Sequence, residues 1–248
     1  MFSFYLVLIL LGLIIGSFLN VLIYRIPRGE SIVLPPSHCP NCNHRLGVFD
    51  LFPVLSYIWL RGRCRYCKTP ISWRYPLVEL ITAVFTVLCW IRFGLTVDGA
   101  MALVLTYALI VIAFIDLDHR LIPNVLTLPM IVIGLLFRIW QGEMIAGILG
   151  GLIGGGILLA ITFFYPKGMG MGDVKFLAMA GVFLGWERAL FVLFSGSFLG
   201  VLVIAPLMLL RKIDRKTAFP FGPFLVVGSL IALYWEEIVF KIYGLYGL

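Results

Sequence analysis

Eight apolar runs dominate this chain, at residues 2–24, 76–93, 100–115, 121–139, 144–165, 174–185, 189–210 and 221–243. Most approach the roughly 20 residues that an α-helix needs to cross the hydrocarbon core of a bilayer. The chain is 62% hydrophobic and only 12% charged, with a mean hydropathy of +1.08. An ordinary soluble domain carries about twice that charged fraction. A single soluble core is therefore excluded, and an all-α polytopic membrane protein with about eight transmembrane helices is expected. The first run lacks a basic stretch before it and is too long for a signal-peptide core, so it reads as the first membrane helix.

Charge placement orients these helices. If 24–75 is cytoplasmic, alternate loops put every Lys and Arg inside except Arg92, Arg138, Arg188 and Lys241. Such asymmetry obeys the positive-inside rule. The net charge of +7 thus implies no nucleic-acid partner, although basic loops also attract anionic lipid. The run 174–185 is short for a layer of about 30 Å. Making it re-entrant would move the basic run 211–216 outside, so a short helix in thinned lipid, or one that continues past Trp186, is expected, with Asp173 near its start.

Residues 25–75 form the one sizeable polar insert, flanked by the first helix (1–24) and a helical bundle (76–248). The insert holds Cys39-Pro-Asn-Cys42 and Cys64-Arg-Tyr-Cys67. Two such knuckles suit a tetrahedral structural zinc with Cys39, Cys42, Cys64 and Cys67 as ligands. The metal would supply folding energy that so small a segment lacks. Disulfides are disfavoured on a reducing cytoplasmic face. His38 and His44 flank the first knuckle, either as surface side chains or as a ligand in place of a cysteine, and Cys89 reads as a small core residue.

Two aspartates sit where apolar runs end. Asp116 closes one in Phe114-Ile-Asp-Leu-Asp-His-Arg120, and Asp173 follows the glycine-rich stretch 168–172. A carboxylate beside lipid is costly and points to function by default. Two at one depth can share a proton, which equips them for aspartic proteolysis: one activates water and the other protonates the scissile carbonyl. Gly168, Gly170 and Gly172 would let a substrate strand approach Asp173, or serve as a flexible turn. Asp118 reads as facing the aqueous loop or pairing with Arg120. Lys175 either biases the Asp173 carboxyl or touches a lipid phosphate. The stretch 219–224 either lines a substrate groove or enters a helix. Overlapping Gly-x-x-x-Gly pairs at 147/151, 150/154 and 151/155 predict close intramolecular helix packing.

These motifs together resemble the bacterial type IV prepilin peptidases, the leader peptidases with N-methyltransferase activity. The likeness runs through Gly16-Ser-Phe-Leu-Asn-Val21, the paired Cys-x-x-Cys insert and Arg74-Tyr-Pro-Leu-Val-Glu-Leu80. It continues through Asp116-Leu-Asp-His119, Leu121-Ile-Pro-Asn124, Gly170-Met-Gly-Asp-Val-Lys175 and Pro220-Phe-Gly-Pro-Phe224. The resemblance implies a Gly-x-Gly-Asp aspartic endopeptidase of the inner membrane, with Asp116 and Asp173 as its dyad. Its substrates would be type IV prepilins or pilin-like proteins, cut after a glycine on the cytoplasmic side to release a basic leader. The new N-terminal residue would then be methylated with S-adenosylmethionine near the insert. Asp50 and Glu79 match acidic positions there and are candidate methyltransferase residues. The rival functions are a proton-coupled transporter or channel, and a noncatalytic membrane assembly factor. A relay site would lie near the bilayer midplane between repeated halves, and no second Asp-rich half is present.

Overall fold

The computed structural model describes residues 2–165, 169–210 and 219–237. The expectations placed on Lys167, Gly168, the basic run 211–216 and Lys241 lie outside these residues, as does the end of the 221–243 run. Among the described residues the protein is helical, with isolated bridges in place of strands. In chain order the α-helices are α1 (Phe2–Arg25), α2 (Leu55–Trp59), α3 (Arg74–Phe93), α4 (Val97–His119), α5 (Asn124–Trp140), α6 (Met144–Phe164), α7 (Met171–Leu184), α8 (Trp186–Leu209) and α9 (Gly222–Tyr234).

Five of these, α1, α3, α4, α6 and α8, are long and apolar enough to cross a membrane; α5 and α9 are shorter apolar helices. Helix boundaries follow local chemistry. The run beginning at 121 becomes helical only at Asn124, because Pro123 precedes it as an extended N-cap. The short run near 174 is the 14-residue α7, stopped by Gly185 at φ 89°, a backbone angle that favours glycine.

The chain forms two compact units, Met1–Val111 and Ile112–Leu248. In the first, α1 packs along α3. Gly12 and Gly16 make this possible, since a Cβ on Gly16 would lie 2.6 Å from the Glu79 Cα and one on Gly12 2.5 Å from the Ala83 Cα. Cys89 is buried, and its thiol donates to the Gly99 carbonyl at 3.2 Å.

In the second unit α6 packs on α7, α5 on α7 and α8 on α9. A Cβ at Gly150 would fall 2.1 Å from the Gly181 carbonyl oxygen, so these backbones touch. This is the close approach expected of the glycine pairs, and the partner is another helix of the same chain. Arg138 of α5 closes the far end of α7 by donating to the Val182 and Phe183 carbonyls at 3.2 and 2.6 Å. Those carbonyls have no partner within their own helix.

Candidate functional site

Asp116 lies in the last turn of α4 and is 5% exposed. The chain then leaves the helix abruptly: Arg120 adopts φ 53°, and its N–H caps the Asp116 carbonyl at 2.8 Å. The side chain meets α9, whose Gly222 N–H donates to Asp116 Oδ2 at 2.9 Å. A Cβ at 222 would lie 2.7 Å from that same oxygen, so any other residue there would displace the carboxylate. The stretch 219–224 is thus helix entry, and its backbone also addresses a candidate functional carboxylate.

Asp173 is half-buried in the first turn of α7. Its Oδ2 accepts the Gly170 N–H at 3.3 Å. This satisfies one donor at a helix N-terminus, where a carboxylate is favoured. Asp116 and Asp173 are electrostatic neighbours, the charge of the first acting on the second. Neither is ion-paired among the described residues. Ile122 helps to seat them: it is buried just after α4, and a Cβ on Gly172 would come within 3.0 Å of its own. Asp118 and His119 are exposed, and Lys175 donates to the Asn124 side chain at 2.8 Å. Sequence reasoning missed the Gly222 donor and the Ile122 wedge. Backbone donors carry no residue signature, and Ile122 looks like any apolar residue before a proline.

The cysteines gather separately, within the first unit. The sulfurs of Cys39, Cys42, Cys64 and Cys67 all lie within 4.8 Å of one another, and Cys39 to Cys67 is 3.8 Å. Four thiolates about 2.3 Å from a tetrahedral zinc would sit about 3.8 Å apart, so the donor set fits that metal. The two knuckles repeat one geometry. Asn43 and Lys68, each directly after a second cysteine, adopt φ 55° and 61°, and their N–H groups bond the Cys39 and Cys64 carbonyls. The Thr69 hydroxyl and N–H, with the Asn41 amide, pull the Cys67 thiol down to about 5. Cys42 is pushed up to about 11: a His44 backbone bond favours its thiolate, but desolvation and the Cys39 and Cys67 sulfurs outweigh it. Thiols that resist ionising together suit a cation that would compensate them. His38 bonds the Pro36 carbonyl and His44 stacks on Tyr66 at 3.6 Å, so neither joins the cluster.

Asp50 and Glu79 both line a cavity of about 330 Å³ bounded by α1, the start of α3 and the insert. That volume falls within the range of about 300–1,000 Å³ common for small-molecule sites. Asp50 is committed elsewhere. It accepts from Arg65 Nε at 2.6 Å, the Gly47 N–H at 3.0 Å and the Tyr66 hydroxyl at 3.3 Å. Burial pushes its carboxyl up, but Arg65, Gly47 and Tyr66 together hold it below the usual carboxylate range. It braces the second knuckle from the η turn Val48–Asp50. Glu79 is 7% exposed and accepts the Val54 N–H at 2.7 Å.

With both sites described, the relatives become informative. Residues 10–93 match the bacterial peptidase A24 N-terminal domain, and residues 103–205 match the type IV leader peptidase family. The chain belongs to the type IV leader peptidase family. A protein of Aeromonas hydrophila named prepilin leader peptidase/N-methyltransferase is 37% identical, over 94% of this chain and 91% of its own. Proteins of that name from Pseudomonas aeruginosa and Legionella pneumophila are 34% and 36% identical, over 97% and 96% of this chain and 93% and 94% of theirs. No solved structure matches. Membership and apolar helices together make this leader peptidase family member a multi-pass inner-membrane protein. Asp116 and Asp173 both fall within the leader peptidase match, while the cysteine cluster lies within the N-terminal match.

Proposed function

We propose that the chain is a bifunctional membrane enzyme that removes the basic leader from type IV prepilins or pilin-like proteins and then N-methylates the new terminus. One observation carries the cleavage half: Asp116 in the last turn of α4 and Asp173 in the first turn of α7 are electrostatic neighbours, and among the described residues neither is ion-paired. Two carboxylates so placed resist losing both protons and titrate as a pair. One takes a proton from water as the water oxygen attacks the scissile carbonyl. Its protonated partner donates to the carbonyl oxygen. Collapse of the tetrahedral species then breaks the C–N bond, and the amine leaves with a proton from the dyad. The Gly222 N–H fixes the Asp116 side chain, and Gly172, lacking a Cβ, lets Ile122 pack against the turn that carries Asp173.

The Lys and Arg asymmetry supports a cytoplasmic insert and active site. On this reading α5, α7 and α9 complete eight crossings, α7 lying in thinned lipid. The substrate helix lies in the bilayer while its basic leader stays in water. Cys39, Cys42, Cys64 and Cys67 hold a structural zinc that shapes the insert. S-adenosylmethionine would supply an electrophilic methyl group. The cavity beside the cysteine cluster, walled by Asp50 and Glu79, is where this chain binds the donor and the amine. The test is mass spectrometry of a purified prepilin after incubation with the enzyme, with and without the donor. Leader loss in both samples, and a gain of one methyl only with donor, is expected. An intact prepilin in both would refute the reading.

A further inference from the structure

The cavity wall carries an unmet demand. Asn20 is 2% exposed, and its side-chain N–H donates to the Gly16 and Tyr75 carbonyls at 3.3 and 3.0 Å. Both partners are acceptors, so the amide cannot be turned over without facing oxygen to oxygen. Its Oδ1 is therefore held in a fixed direction, buried and, among the described residues, without a hydrogen-bond partner. Buried acceptors are seldom left this way. Glu79 lies one turn beyond Tyr75 on the same helix and lines the same cavity as Asn20. Its carboxylate takes the Val54 N–H and a bond from Ser17, but no ion pair to it is formed among the described residues. Buried carboxylates normally have a counter-cation. The arginines of this cavity are spent elsewhere: Arg25 on the Ser31 and Pro35 carbonyls, and Arg65 on Asp50.

Two acceptors on residues that line one cavity, one neutral and one anionic, call for a ligand that brings several N–H donors and positive charge. We propose that Asn20 Oδ1 and the Glu79 carboxylate form a seat for a primary amine. This rests on the methyltransferase reading of the cavity, and it deepens that reading by naming the group that is held. Both small partners of that reaction carry such an amine: the newly cut pilin terminus and the amino-acid end of the methyl donor. Asn20 and Glu79 are positioning residues. They fix the nitrogen, and Gly16 allows the α1 and α3 backbones to come close enough for both acceptors to reach it.

The test uses the full-length enzyme in nanodiscs and three probes. These are a pilin-like peptide with a free N-terminal Phe, the same peptide acetylated, and S-adenosylhomocysteine. The variants are Glu79→Gln, which keeps an acceptor for the Val54 N–H but removes the charge, and Asn20→Ala. If the pilin terminus is seated, the wild type binds the free peptide at least tenfold tighter than the acetylated one. Both variants then shrink that preference and raise KM for cut pilin more than they lower kcat. If the donor's amine is seated, S-adenosylhomocysteine binding weakens about tenfold in both variants while the peptides are unaffected. Affinities of all three probes within twofold of wild type in the folded Glu79→Gln enzyme would overturn the seat. A separate variant, Ser56→Trp, fills the cavity. Methylation surviving that change would overturn the cavity reading itself. Methylation lost there, with the affinities of the peptides and of S-adenosylhomocysteine all unaltered in Glu79→Gln, would overturn the seat alone.

Discussion

The insert and the aspartate region solve the same problem, holding a few polar groups in place, by opposite means. In the insert, residues 25–75 leave apolar side chains such as Val33, Phe49 and Ile58 exposed rather than gathered into a core, and order comes from polar cross-links. Four sulfurs converge, two knuckles repeat one turn, and Asp50 ties Gly47, Arg65 and Tyr66 together. Among the described residues around the aspartates, polar side-chain contacts are few. Order comes from glycines that let helices touch, as at Gly150 and Gly181, and from backbone N–H groups of Gly170 and Gly222 aimed at carboxylates. The contrast follows from the solvent. In water, a metal or ion network can replace a missing core. In lipid, apolar burial gives helices no net attraction for one another, so close packing and hydrogen bonds must suffice.

This comparison can be broken by substitution. The largest effect is expected at Gly222→Ala, where the added carbon would press on Asp116 Oδ2. A displacement of about 1 Å at a catalytic group can cost about 100-fold, so prepilin cleavage should fall by about that factor in an assay on purified membranes. Unchanged cleavage would show that the α9 backbone does not position Asp116. Next comes the metal. Chelation, or Cys39→Ser, should release bound zinc, expose the insert to proteolysis and impair methylation more than cleavage. Elemental analysis and limited proteolysis would report both, and an insert that stays protease-resistant without metal would remove it from the argument.

Smaller effects sharpen the contrast. Gly181→Ala would drive a carbon to 2.1 Å from the Gly150 carbonyl oxygen. Overpacking of this kind costs about 1–3 kcal/mol, readable as a lower melting temperature with zinc content unchanged. Asp50→Asn should be milder still, about 1 kcal/mol or less, because its Arg65 partner is 43% exposed and solvent screens the pair. Because the Asp50 carboxyl is held below its ordinary value, its contribution is full above that value and fades as pH falls through the folded-state pKa. The Asp50→Asn defect should therefore be constant across neutral pH, by proteolysis of the insert.

Much of this was legible in the residues alone. Apolar runs announced a helical membrane protein, because length and hydropathy are local properties. The paired Cys-x-x-Cys knuckles announced a four-sulfur cluster, because both halves carry the same short motif. The aspartates stood out as acids at the ends of apolar runs. What sequence did not carry was long-range and made of backbone. The Gly222 donor lies 106 residues from Asp116 and depends on where α9 packs. Asn20 was visible only as part of a motif; its stranded oxygen depends on two carbonyls, one of them 55 residues away. Asp50 and Glu79 looked alike as acidic candidates. Their partners separate them, since Asp50 bonds Arg65 while Glu79 has no ion pair among the described residues.

The central claim is that two carboxylates from different helices act as one catalytic unit. The most direct test is the rate of leader removal by Asp116→Asn and Asp173→Asn, each reconstituted with a purified prepilin and read by mass spectrometry. Each single variant should lose at least about 100-fold, the low end of what general acid–base catalysis contributes, and the double variant should be little worse than either alone. Leader removal by either single variant at a rate near wild type would contradict the account.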